Sequence, residues 1–233
     1  MEHRIEEMDG IRCSIRSRGQ GGPVIYWGTA HSGEQQEERV TALVARSTGE
    51  APWTLVAYEV ENWNRDYSPW VLPGADDPED FTGGAKNTLA WLAEVCIPYM
   101  ESKILHGMPQ RMIGGYSLAG LFSLFAFYES RLFNGVASCS GSLWYPGWQA
   151  YADLQKSPQD SIVYLSLGRK EEKTRSRRMA AVGEMTRWQY ERIRRDENVR
   201  ESELIWHNGG HFSDVEQRIA QGFAWLIEHA GNS

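Results

Sequence analysis

Met112-Ile113-Gly114-Gly115-Tyr116-Ser117-Leu118-Ala119-Gly120-Leu121-Phe122 is the stretch on which the architecture turns. An apolar run ends in two glycines, one serine follows, small residues come next, and an apolar helical segment begins. That order suits a sharp strand-to-helix turn displaying the Ser117 hydroxyl. The turn is strained, and the residues two before and two after the serine must be small where helix and strand approach. Gly115 and Ala119 supply those positions. The first N–H groups of a helix lack intrahelical acceptors, so the amide of Leu118 is placed to meet a developing negative charge. The same letters also describe an ordinary glycine-rich turn with a capping serine, so Ser117 needs partners from elsewhere in the chain.

Outward from that segment the pattern repeats. Short apolar runs bounded by glycine or proline occur at Val24-Ile25-Tyr26-Trp27, Leu55-Val56-Ala57-Tyr58, Met112-Ile113, Val136-Ala137, Ile162-Val163-Tyr164-Leu165 and Leu204-Ile205-Trp206. Between them Leu89, Leu92, Ala93 and Cys96 keep helical spacing. So do Ile219, Phe223, Leu226 and Ile227 in a last helix that Ser213 and Glu216 would open as a capping box. Strands alternating with helices predict an α/β fold with a mainly parallel sheet covered on both faces. Asp9-Gly10, between Ile5 and the alternating Ile11, Cys13 and Ile15, predicts an N-terminal antiparallel β-hairpin. Residues 61–84 hold Pro69, Pro73 and Pro78 and read as a long loop, a length often tied to function.

A base and an acid for Ser117 are available downstream. The strand at Leu204-Ile205-Trp206 runs into His207-Asn208-Gly209-Gly210-His211-Phe212, whose two glycines permit a sharp turn at a strand's C-terminal end. Open α/β sheets gather their ligands at that edge. His211 is the candidate base; His207, within or just after the strand, competes with it. The carboxylate that would orient the imidazole belongs after the strand Ile162 to Gly168, where Glu171 is the first choice and Glu172 and Asp153 are runners-up. The order Ser117, Glu171, His211 is that of the α/β-hydrolases. A second oxyanion donor is expected after the strand Val24 to Trp27. It would be the N–H of Thr29, with Gly28 and Ala30 as alternatives, and His31 nearby.

The chain has 233 residues, 41% hydrophobic and 24% charged, values that exclude disorder and fibrous repeats and suit one domain over 1–233. With 24 basic against 31 acidic residues the net charge is −7, so duplex nucleic acid is not an expected partner. Three widely spaced cysteines encode neither a disulfide framework nor a cysteine zinc site, and no His-x-x-x-His cluster suggests another metal. No basic-then-apolar leader and no run near ~20 apolar residues is present, which predicts a cytoplasmic protein not bound to membranes. Ten Trp, ten Tyr and seven Phe are a surplus. Trp63, Tyr67 and Trp70, and Trp144, Tyr145 and Trp148, fall on two loops expected to open on the Ser117 edge. There aromatic walls would suit an apolar, aromatic or sugar-like group. Six basic residues between Arg169 and Arg178 either attract an anionic substrate or solvate a helix start.

Gly115-Tyr116-Ser117-Leu118-Ala119-Gly120 and Gly209-Gly210-His211-Phe212 resemble the "putative esterase" (esterase D-like) branch of the α/β-hydrolases. That branch includes S-formylglutathione hydrolases, siderophore esterases, feruloyl esterases and mycolyltransferases. Asn64-Arg65-Asp66-Tyr67-Ser68-Pro69-Trp70 is similar to the loop after the next core strand in that group, and the similarity of layout runs from about Val24 to Leu226. Ala119 stands where the common pentapeptide has glycine. The resemblance implies an α/β-hydrolase fold and a serine carboxylic ester hydrolase with Ser117 as nucleophile, His211 as base and an acid at Glu171. It needs no cofactor and acts on a small-molecule ester. Trp63, Arg65, Tyr67, Trp70, Tyr116 and Trp144 are the expected substrate contacts. Acyl transfer from the same acyl-enzyme and ligand binding without catalysis are the competing readings.

Overall fold

The computed structural model describes residues 1–30, 33–72, 81–105 and 108–231. The chain opens with the hairpin β1 (Glu2–Met8) and β2 (Ile11–Arg18), turned by Asp9 and Gly10, both at positive φ. The strands β3 (Val24–Thr29), β4 (Trp53–Glu59), β5 (Arg111–Tyr116), β6 (Gly135–Cys139), β7 (Ser161–Gly168) and β8 (Val199–His207) then alternate with helices. These are α1 (Glu34–Ser47), α2 (Trp63–Tyr67), α3 (Ala85–Trp91), α4 (Ile97–Tyr99), α5 (Leu118–Ser130), α6 (Trp148–Asp153), α7 (Arg177–Ala180), α8 (Val182–Arg194) and α9 (Val215–His229). Between α3 and α4, and again after α4, the helix widens into π-type turns at Leu92–Cys96 and Met100–Leu105. Pro98 lies within α4; it has no N–H to donate, and such an interruption of the i→i−4 ladder is a recognised cause of helix distortion.

One eight-stranded sheet runs β1-β2-β4-β3-β5-β6-β7-β8; β2 is antiparallel to both β1 and β4, and β3 to β8 are parallel to one another. The central strands lack polar alternation because both faces are covered. All six residues of β3 and all eight of β7 are buried. On one face Val40 and Val44 of α1 and Ile219, Phe223 and Leu226 of α9 pack on Ile25, Trp27, Met112 and Tyr164. On the other, α5 is buried on every side from Leu118 to Tyr128, among Tyr26, Tyr58, Tyr67 and Trp148. A helix without a polar face belongs in the interior.

Two local expectations need correction. Residues 61–84 are not loop throughout, because Asn62 caps α2: its side chain accepts from the Arg65 N–H at 2.9 Å, and Asp66 accepts from the Asn62 N–H. Ser213 does not cap the last helix. Its hydroxyl accepts from the Gly210 N–H at 3.1 Å, and α9 starts after Asp214.

Candidate active site

The sheet order reverses direction between β3 and β5, the kind of switch point where open α/β sheets leave a crevice beyond the strand ends. β3 pairs with β5 only as far as Trp27 against Gly114, yet with β4 it continues to Thr29 against Glu59. Gly28 and Thr29 thus run past the end of that β5 pairing. Across this gap the chain passes from β5 into α5 through Ser117, at φ 58° and ψ −122°. A side chain at Gly115 would place its Cβ 2.7 Å from the Ala119 backbone, which is why strand and helix meet there only through glycine. The Ser117 N–H donates to the Cys139 carbonyl at 3.0 Å, and the Ser117 carbonyl accepts from Ser142 N–H at 3.0 Å and Leu121 N–H at 3.1 Å. The strained turn is held from three directions.

β8 ends at His207, and Gly209 turns the chain at φ +91° so that His211 faces Ser117. His211 Nε2 is 2.9 Å from Ser117 Oγ, and Nδ1 is 2.7 Å from Glu171 Oε2. An ionised carboxylate can only accept, so Nδ1–H donates to Glu171 and Nε2 is left to accept the Ser117 hydroxyl. Glu171 stands on a single turn of 3₁₀ helix, Glu171–Lys173, just past β7. Its Oε1 accepts from the Gly168 N–H at 2.7 Å, the Ser140 hydroxyl at 2.8 Å and Arg218 Nη1 at 3.1 Å. Burial pushes this carboxyl up, but hydrogen bonds from His211, Gly168 and Ser140, with the His211 charge, outweigh it and hold the group below the usual carboxylate range.

The alternative candidates stand elsewhere or have other partners. Glu172 turns away and accepts from both Arg187 guanidinium nitrogens, at 2.9 and 3.1 Å. Asp153 is exposed at the end of α6. His207 sits in the β8 ladder opposite Gly168, and burial pushes its imidazole below its ordinary value. His31 lies outside the described residues.

Most of the aromatic surplus is core. Tyr67 is fully buried against Tyr58, Trp63 and Phe122, with its hydroxyl donating to the Thr29 carbonyl at 3.3 Å, so it supports the end of β3 instead of lining a pocket. Tyr116 is buried as well and donates to the His211 carbonyl at 2.6 Å. Tyr145 and Trp148 are buried. Arg65 is taken up by Asp66 and Glu61. Trp63, Trp70 and Trp144 remain partly exposed, and Trp70 ties the two loops together: its Nε1–H donates to Pro146 while its carbonyl accepts from Tyr145. The exposed aromatic beside the site is Phe212, 91% exposed, with its ring centroid 5.1 Å from that of His211. The basic residues from Arg169 to Arg178 are all exposed. A cleft of about 400 Å³ outside the Glu171 turn is lined by Arg169, Glu172, Lys173, Arg187 and Trp206, with Arg187 stacked 4.5 Å over the indole.

Sequence reasoning missed Ser140, Ser142 and Arg218. Ser142 Oγ is 3.4 Å from Ser117 Oγ. Arg218, 1% exposed, lies between Val215 and Gly222 on the apolar stripe of α9. An arginine on a buried stripe is the signal that could have found it.

No curated protein matches the sequence. The siderophore hydrolase EstA from Aspergillus nidulans is similar in structure, with TM-score 0.77 and 18% identity over 99% of this chain and 94% of that one. An IroE-like serine hydrolase from Shewanella oneidensis has TM-score 0.81 and 15% identity over 100% and 82%. The enterobactin esterase FES from Shigella flexneri has TM-score 0.65 and 18% identity over 99% and 60%. Identities this low carry the fold alone. The family described as "Putative esterase" matches residues 10–214, a span from the hairpin turn to the residue that opens α9 and inclusive of Ser117, Glu171 and His211. The chain therefore belongs to that family and is a carboxylic ester hydrolase of the α/β-hydrolase type.

Proposed function

We propose that the protein cleaves esters through an acyl-enzyme on Ser117, with His211 as general base and Glu171 as the acid that orients it. The observation that carries this is the unbroken chain Ser117 Oγ to His211 Nε2 to Glu171 Oε2, at 2.9 and 2.7 Å. His211 takes the hydroxyl proton as Ser117 attacks the ester carbonyl, then returns it to the departing alkoxide. Water, deprotonated by the same imidazole, attacks the acyl carbonyl, and the imidazolium returns that proton to Ser117 Oγ as the acid leaves. The oxyanion is held by the N–H groups of Leu118 and Thr29. The former opens α5, and the latter lies past the end of the β3 to β5 ladder, which supports both as donors. Trp63, Trp70 and Trp144 are partly exposed, and with the exposed Phe212 are the aromatic groups proposed to meet substrate.

Some structurally similar proteins are named as hydrolases of siderophores and of enterobactin, so siderophore esters head the substrate panel, beside short-chain and aromatic-acid esters. Ser117→Ala is expected to lower kcat/KM on a chromogenic short-chain ester by about 10³-fold or more. Equal rates from the two proteins would reject the assignment. Glu171→Gln should lose about 10²- to 10⁴-fold in kcat, whereas Glu172→Gln, which breaks only an exposed ion pair, stays within about twofold. The reverse ranking would move the acid to Glu172.

A further inference from the structure

We propose that Arg218 is a positioning residue that sets the pH at which the Ser117 and His211 pair becomes active, by keeping Glu171 ionised and its second oxygen turned to the imidazole. The inference rests on the roles proposed above for Ser117, His211 and Glu171. Arg218 enters from α9 and is 1% exposed. Its Nη1 reaches Glu171 Oε1 at 3.1 Å, Tyr116 Oη at 3.2 Å and Ser140 Oγ at 3.2 Å, and its Nη2 donates to the Asn208 carbonyl at 2.9 Å. One guanidinium thus ties together the strand that precedes Ser117, the end of β6, the acid, and the turn that carries His211. Tyr116, which accepts from Arg218, donates in turn to the His211 carbonyl.

Charge gives this contact a role beyond packing. A buried guanidinium is costly unless it is paired, and Glu171 is the carboxylate within ion-pair distance of it. The groups facing the acid and imidazole are Tyr116 from β5, Ser140 after β6, the Gly168 N–H from β7, His207 from β8 and Arg218 from α9, and Asp214 before α9 bears on His207. His207 is held towards its neutral form by burial, and Asp214 is exposed. Arg218 is therefore the fixed positive charge among them. Its removal favours the protonated form of Glu171, which can no longer orient the imidazole. With the acid protonated the imidazole loses its orienting partner, so activity is lost at low pH and returns as pH rises.

The test is kcat/KM on a neutral short-chain ester from about pH 5 to 9. In Arg218→Met the acid limb is expected to move up by about one pH unit or more, with part of the rate recovered at the alkaline end. In Arg218→Lys, which keeps the charge and loses the fork, the limb stays near that of the wild type while kcat falls at all pH values. A profile for Arg218→Met that is uniformly lowered without a displaced limb would show a structural role only and overturn the inference. Should that variant not fold, Arg218→Lys and the pair Glu171→Gln and Glu171→Gln/Arg218→Met decide it. Arg218→Lys must keep the limb, and the double variant must have the same limb as Glu171→Gln. A displaced limb in either comparison rejects the proposal. Ser117→Ala as active as wild type would instead remove the site reading beneath it.

Discussion

Ser117 shows what one residue contributes and costs. Its φ of 58° lies in a region that side chains other than glycine rarely adopt, and the hydrogen bonds through Cys139, Ser142 and Leu121 hold it there. Ser117→Gly should relieve that strain and stabilise the fold by about 1 kcal/mol, a rise of about 2–4 °C in Tm, while removing activity. An unchanged or lower Tm in differential scanning calorimetry would show that the turn is not strained. Glu171 makes a second prediction. Its carboxyl is held below its unfolded value, so it contributes stability that is present above the unfolded pKa and lost as pH falls through the lower folded one. Wild-type stability, followed by denaturant melts, should therefore fall more steeply below about pH 5 than that of Glu171→Gln. Parallel slopes would count against a depressed carboxyl. That Ser117, His211 and Glu171 meet was legible in the sequence, because glycines and strand ends mark sharp turns at one edge of the sheet. Arg218 was not singled out, since a buried cation is specified by partners from four distant segments and by no local pattern.

At the scale of elements, the end of β3 depends on a contact between two segments remote in sequence. A methyl group on Gly28 would lie 2.6 Å from Tyr67 Oη, and that hydroxyl also holds the Thr29 carbonyl. Gly28→Ala should cost about 1–3 kcal/mol and, if the Thr29 amide has the role proposed for it, lower the esterase rate by displacing that amide. The ring carbons of Tyr67 lie 2.8 and 3.0 Å from that methyl position as well, so Tyr67→Ala, which removes the ring, is the partner that should lower the coupling cost in a double-variant cycle read by Tm, and additive losses would place the strain elsewhere. The strands and the N-terminal hairpin follow from apolar runs and turn residues, and they stand where those runs lie. The loop aromatics were harder to read. Tyr67, Tyr145 and Trp148 occupy polar, proline-bearing stretches that look exposed, yet these stretches fold back over α5 and bury their rings. Burial of a ring in a loop depends on what the loop covers, which periodicity does not report. The missed helix α2 has the same origin: five residues are too few to show a period, and its cap, Asn62, is one polar letter among many.

At the scale of the molecule, the sheet has two different edges. At one, the hairpin covers β4, whose seven residues are all buried. At the other, β8 carries Arg200, Glu201 and Glu203, charges that discourage further pairing. A chain lacking Glu2–Arg18 would expose the apolar β4 edge and is expected to associate or precipitate, as seen by size-exclusion chromatography. A monomeric truncated protein of normal activity would show the hairpin to be dispensable. The alternation of strands and helices predicted the parallel body of this sheet, but not that β3 is flanked by β4 and β5, because neighbour order is set by long-range closure and not by local pattern. That order has a consequence for a chain growing on the ribosome. Val24 meets Thr54 on one side but waits for Arg111 on the other. Until β5 emerges, Val24–Thr29 presents one unpaired edge of a largely apolar strand to its surroundings. Early termination or slowed elongation between β4 and β5 is where nascent copies of this protein would be most prone to stick to one another.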